Sequence, residues 1–159
     1  MSAVLTPVLR ERFDAIRALY PEEMSNSLVL PLLHCTQEAQ GFVTEDDTVM
    51  IAAYIGVPAM QVLEAMRWYT MFHGAPQGRH VVKVCRNIAC ALRGSESLIA
   101  HLQQRLGINV GQTTPDGRFT LQTVECLASC GTAPAMQVGD TYFEQLDAAR
   151  VDEILKDLP

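Results

Sequence analysis

His80-Val81-Val82-Lys83-Val84-Cys85-Arg86-Asn87-Ile88-Ala89-Cys90 opens the second half of the chain with a short β-branched run that closes on a cysteine. A second run, Phe119-Thr120-Leu121-Gln122-Thr123-Val124, alternates like a strand and leads into Glu125-Cys126-Leu127-Ala128-Ser129-Cys130. Between them, the stretch from Leu92 to Leu106 places Leu98, Ile99, Leu102 and Leu106 on one side and reads as a helix. Strand, helix and strand in that order form a βαβ unit. Its right-handed crossover makes the two strands parallel, so their carboxyl ends and the loops that follow lie on one edge of the sheet. The pairs Cys85/Cys90 (C-x4-C) and Cys126/Cys130 (C-x3-C) are therefore expected to converge in space.

Further along, residues 135–138, Gly139-Asp140 and residues 141–143 read as a hairpin, before a last helix from Asp147 to Leu158. The order βαββα, with one further short strand, suits a thioredoxin-like layer of sheet and helices. Upstream of Gly74-Ala75-Pro76-Gln77-Gly78 the pattern changes to helices separated by punctuated turns. Val8 to Leu19 carries Leu9, Phe13, Ile16 and Leu19 as one stripe and stops at Tyr20-Pro21. A second helix begins near the polar caps Ser25 to Ser27, with Pro31 in or near its first turn, and ends at Gly41. Thr44 and Asp47 form a capping arrangement for a third helix that runs through Ile55 and stops at Gly56. Pro58 takes the first position of a fourth that includes Val62, Met66 and Tyr69. The expected architecture is α+β, with a helical bundle at 1–76 and a thioredoxin-like α/β domain at 77–159.

Composition narrows the function. A chain of 159 residues has room for one ordinary domain or two small ones. The formal charge of −6 and the lack of a Lys/Arg run argue against a nucleic-acid partner. No stretch approaches the ~18 apolar residues of a membrane span, and Arg10 and Glu11 interrupt the N-terminus before a signal-peptide core. A soluble protein that stays in the cytoplasm is expected. Charged residues make up 19%, below the about 25% of typical domains, in keeping with a surface covered by a neighbouring chain.

Five cysteines in a reducing compartment point to metal or redox chemistry rather than a disulfide framework. Four thiolates brought together carry too much negative charge to persist without a metal, which makes a metal or iron-sulfur site the natural reading. A 2Fe-2S rhombus needs two thiolates on each iron, which Cys85 with Cys90 and Cys126 with Cys130 can each supply. Zinc remains open, although four-cysteine zinc sites usually use C-x2-C knuckles. The plant-type ferredoxin spacing is excluded because Arg93 stands where its third cysteine belongs. A Rieske centre is excluded because His34, His73, His80 and His101 all lie outside the loops. Dithiol exchange of the thioredoxin kind needs C-x2-C, which is missing.

Other residues have plainer readings. Cys35 lies three after Leu32 on the apolar side of the second helix and reads as core. Arg86 and Arg93 are candidates to favour an anionic cluster, against the commoner role of solvated surface arginines. Gly94 reads as allowing close packing after the first ligand loop. Trp68 to Phe72 reads as packing at the end of a core helix, and Glu45, Asp46 and Asp47 as a capped helix start.

The chain resembles the small thioredoxin-like 2Fe-2S subunit of respiratory complex I, the NADH:quinone oxidoreductase. The likeness covers nearly the whole chain and is carried by Trp68-Tyr69-Thr70-Met71-Phe72, Val84-Cys85 through Cys90 with Leu92-Arg93-Gly94, residues 114–121 (Thr-Pro-Asp-Gly-Arg-Phe-Thr-Leu) and residues 124–134. It implies that Cys85, Cys90, Cys126 and Cys130 bind one 2Fe-2S cluster. It also implies docking on a larger flavoprotein subunit that holds FMN and the NADH site, with further iron-sulfur subunits beyond. The chain would then sit peripherally at the inner face of the membrane through the complex. The same likeness fits the homologous subunit of NAD-linked formate dehydrogenases and hydrogenases, though residues 114–117 and Glu125-Cys126-Leu127 lean towards complex I. Two residues depart from the family pattern. Trp68 replaces a usual Phe, and Ala128 stands where Gly is common, so a positive φ there would strain the loop by about 1 kcal/mol or more. No G-x-G-x-x-G follows a strand, so hydride chemistry belongs to a partner. Two readings from other classes compete with the electron carrier: a zinc-stabilised structural adaptor and a thiol-disulfide redox sensor.

Overall fold

The computed structural model describes residues 3–158, which separate into two compact units, Met1–Pro76 and Gln77–Pro159. Each has its own apolar core.

The first unit is helical. Thr6 caps α1 (Pro7–Arg17) by accepting from the Leu9 amide at 3.3 Å, and Pro7 at the first position loses no hydrogen bond. Leu9 and Phe13 are buried and Ile16 is partly so, but Leu19 is exposed because the helix ends two residues before it. A 3-10 segment, Glu22–Leu28, leads straight into α2 (Val29–Gln40). The expected serine caps are therefore not used, and α2 begins on Leu28 with no side-chain cap. Pro31 is its third residue, within the first turn where backbone amides have no helical partner. Thr44 and Asp47 form a reciprocal capping box at the start of α3 (Glu45–Ile55). Pro58 precedes α4 (Ala59–Trp68) as its N-cap residue, one place before the expected first position and with no side-chain cap, and Tyr69 falls just past the helix rather than inside it.

Phe13, Leu28, Leu32, Leu33, Val43, Ile51 and Val62 form the centre of this core, and Cys35 is buried among them. The aromatic end of α4 corrects one expectation. Phe72 is buried with its ring 4.9 Å from that of His34 and tilted to it by 58°, but Trp68 is 82% exposed, with Tyr69 and Met71 exposed after it. α4 turns Val62 and Met66 inward, and at about 100° per residue Trp68 falls about 200° around from Met66, on the outer side.

The second unit is a four-stranded sheet with order β2-β1-β3-β4, where β1 is His80–Cys85, β2 Phe119–Val124, β3 Met136–Val138 and β4 Thr141–Phe143. β1 and β2 are parallel, with His80 opposite Phe119 and Cys85 opposite Val124; the other two pairings are antiparallel. The helix expected from Leu92 to Leu106 is α6 (Ser95–Leu106), starting three residues later, and an unexpected short helix, α5 (Ile88–Leu92), precedes it. The break is at Gly94, whose φ of +93° favours glycine, whereas a Cβ there would meet nothing within 4 Å. Backbone conformation, not close packing, is what this glycine provides. Asn87 starts α5 early by accepting from the Ile88 amide at 2.8 Å. Val82, Val84, Leu121 and Met136 of the sheet pack against Leu98 and Leu102 of α6 and against Val151, Ile154 and Leu155 of α7 (Ala148–Asp157).

Gly78 enters the sheet with its amide donating to Thr120 Oγ1 at 2.6 Å, and a Cβ there would lie 2.7 Å from the Phe119 carbonyl carbon. Neither backbone can retreat without disturbing the β1–β2 pairing. Gly78→Ala is expected to cost about 1–3 kcal/mol in urea unfolding; an unchanged midpoint would show that the contact relaxes freely.

Candidate metal centre

Parallel pairing determines where the cysteines stand. Cys85 is the last residue of β1, level with Val124 at the end of β2, and Cys126 follows two residues beyond. The Arg86 amide continues the ladder by donating to Val124 O at 2.9 Å, and the Cys85 amide donates to Ala135 O at 3.1 Å on the opposite side. Cys90 lies in α5, whose short amphipathic turn buries it and leaves Ile88 and Leu92 outside, 73% and 82% exposed. Cys130 begins the 3-10 turn Cys130–Thr132.

The four thiols divide by environment. Cys85 and Cys90 are buried in a small apolar cluster with Leu127, Ala133 and Ala135. Cys126 and Cys130 are exposed on the outer loop. Burial pushes the Cys90 thiol above its ordinary pKa, and its hydrogen bond with Cys85 and the neighbouring charges of Cys85 and Cys130 push the same way. On the outer loop the Ala128 amide donates to Cys126 Sγ at 3.2 Å, and Cys85 Sγ donates to Glu125 O at 3.8 Å.

Among the described residues, no three His, Cys, Asp or Glu side chains are gathered to hold one metal ion. A two-iron cluster makes a different demand, two thiolates at each iron. The donor set suits it: all-sulfur, drawn from two loops at one sheet edge, with an inner pair backed by apolar side chains. Cys35 lies apart in the helical core, where burial raises its thiol pKa. Of the two arginines considered as charge partners, Arg93 is exposed, whereas Arg86 is paired with Glu125. That pair was not foreseen, although opposite charges on the residues flanking Cys85 and Cys126 were a visible signal.

A sheet with this topology, carrying two cysteine loops at one edge, is a thioredoxin-like scaffold. The family model of the thioredoxin-like [2Fe-2S] ferredoxin matches residues 13–159, and the chain belongs to that family. Its cofactor is one 2Fe-2S cluster. The chain is 45% identical over 93% of its length to an NADH-quinone oxidoreductase subunit of Rhizobium meliloti, covering 87% of that protein. It is 37% identical over 89% of its length to an NADH-quinone oxidoreductase subunit of Thermus thermophilus, covering 78% of it. Among solved structures, an NAD+-reducing [NiFe]-hydrogenase in the air-oxidized state superposes on 82% of the chain with a TM-score of 0.68. At 22% identity, and with 22% of that longer chain covered, this likeness shows the fold alone.

Ala128, between the outer cysteines, has φ of +59°, so the strain expected of a non-glycine residue is present. The left-handed conformation costs about 1–2 kcal/mol, and the extra freedom of an unfolded glycine returns about 0.5–1 kcal/mol. Ala128→Gly is expected to stabilise the metal-free protein by the difference, up to about 1.5 kcal/mol in chemical denaturation. A lowered midpoint would mean that the methyl makes contacts worth more than the strain.

Proposed function

We propose that this chain is the one-electron carrier subunit of the NADH-oxidising module of an NADH:quinone oxidoreductase, with Cys85, Cys90, Cys126 and Cys130 as the ligands of its 2Fe-2S cluster. The observation that carries the reading is the convergence of two cysteine loops on the carboxyl edge of the parallel pair β1–β2. Full-length similarity to subunits of NADH-quinone oxidoreductases supports the assembly.

When bound, the cluster supplies reversible one-electron transfer, and the chain's residues create the conditions for it. Leu127, Ala133 and Ala135 keep water from the inner thiols Cys85 and Cys90. The Ala128 amide places a fixed donor on Cys126 Sγ, where it offsets negative charge on the sulfur. Cys126 and Cys130 form the exposed side, from which electrons can pass to and from another protein.

A one-electron centre cannot take a hydride, so NADH oxidation requires a two-electron acceptor such as FMN, placed by this reading on a flavoprotein partner. Exposed apolar residues support docking. In the second unit Ile88 and Leu92 flank Cys90 on the outer side of α5. In the first, Trp68 and Tyr69 border an apolar groove of about 530 Å³ with Ala65 and the stems of Gln61, Glu64 and Arg67. Among the described residues no helix is long and apolar enough to cross a membrane, so attachment at its inner face would come through the complex.

Anaerobically prepared protein should contain about two irons and two acid-labile sulfides per chain. Serine in place of Cys85, Cys90, Cys126 or Cys130 should abolish or strongly perturb its visible absorption and EPR signal. Cys35→Ser should leave both intact. Alone, the chain should not oxidise NADH with ferricyanide or quinone, while dithionite should reduce it. Stoichiometric zinc without sulfide, bleaching by Cys35→Ser, or reduction by NADH in flavin-free protein would each refute part of this assignment.

A further inference from the structure

Arg86 directly follows Cys85, and Glu125 directly precedes Cys126. The two meet across the edge of the sheet. Arg86 Nε and Nη2 both donate to Glu125 Oε1, at 2.9 and 2.5 Å. The backbone repeats the link, with the Arg86 amide donating to Val124 O at 2.9 Å. One residue pair therefore ties together the two loops that carry all four thiols. Resting on the ligand assignment above, we propose that the Arg86–Glu125 pair is a positioning clamp for the cluster: it sets the gap between the ligand loops and keeps their rim electrically balanced, and through both it sets the reduction potential.

Reduction adds one electron, and hence one negative charge, to a site already rich in thiolate. A lone arginine at its rim favours the reduced form, and a lone carboxylate opposes it. Paired, they nearly cancel. Glu125→Gln leaves the guanidinium unbalanced and raises the potential, whereas Arg86→Gln leaves the carboxylate and lowers it. The side chains are 57% and 72% exposed, so water and salt moderate both effects. Exposed charge interactions correspond to about a two- to fivefold change in the one-electron equilibrium, or about 20–40 mV at 59 mV per tenfold. The clamp has a second consequence that charge alone would not produce. With either partner removed, the loops part more readily and the cluster is lost faster.

The experiment uses the full chain, reconstituted anaerobically, as wild type, Glu125→Gln, Arg86→Gln and the exchanged double variant R86E/E125R. EPR-monitored redox titration at low and high salt gives the potential, and loss of visible absorption to an iron chelator gives cluster retention. The single variants are expected to shift in opposite directions, by less at high salt, and both to lose the cluster several-fold faster. The exchanged pair keeps the ion pair and is expected to return towards wild type on both measures. Wild-type potential and retention in both single variants, or shifts of the same sign, would overturn the clamp while leaving the ligand assignment standing. Wild-type protein that never acquires iron and sulfide would overturn both.

Discussion

The parallel pairing of β1 with β2, with Cys85 level with Val124, is the constraint on which the rest of the site depends. Strands that run the same way end at the same edge, so residues far apart in sequence emerge together without any contact between their own side chains. A slip of one residue in this register would turn each inward side chain outward. The alternation of Val82 and Val84 with the less buried Lys83 resists such a slip, since it would expose both valines. Core packing in the sheet thus controls the cysteine geometry at its end.

From that edge the loops take different routes. The first is short and helical: Asn87 caps α5, which returns Cys90 to the interior beside Cys85. The second is irregular and more exposed, with Ala128 in a left-handed conformation that aims its amide at Cys126 Sγ. Strain at such a position persists only where the surroundings impose it. Here the conformation brings a donor to a sulfur that would otherwise face solvent, which fits a functional constraint rather than a packing one. One pair of thiols is sheltered and the other accessible.

The first unit has a separate logic. Its core is closed by Phe13, Leu32, Leu33, Ile51 and Val62, and Cys35 is part of that packing. The exposed side of α4 is not needed for this core. Trp68, 82% exposed, lies on that side with Tyr69 and Met71 after it.

Much of this was legible in the residues. The paired cysteines after two strand-like runs, the Thr44–Asp47 box and the Gly139-Asp140 turn are local signals whose chemistry depends on neighbours in sequence. The membership of the four cysteines in one edge also followed, because βαβ handedness is a property of the chain. The short helix α5 was missed because Leu92 was joined to the Leu98–Leu106 stripe, whereas Gly94 at φ +93° ends α5 and α6 begins only at Ser95. The outward position of Trp68 was legible in its spacing, about 200° around the helix from Met66, but was overridden by reading the aromatic run as core packing. Most of the elements, their order and the placing of the two cysteine loops at one sheet edge follow from the residues alone, since these depend on local propensity and spacing. Packing in three dimensions settles which thiols are sheltered, that Ala128 takes a left-handed turn, and that Arg86 meets Glu125. Those depend on distances across the sheet edge, which no local pattern encodes.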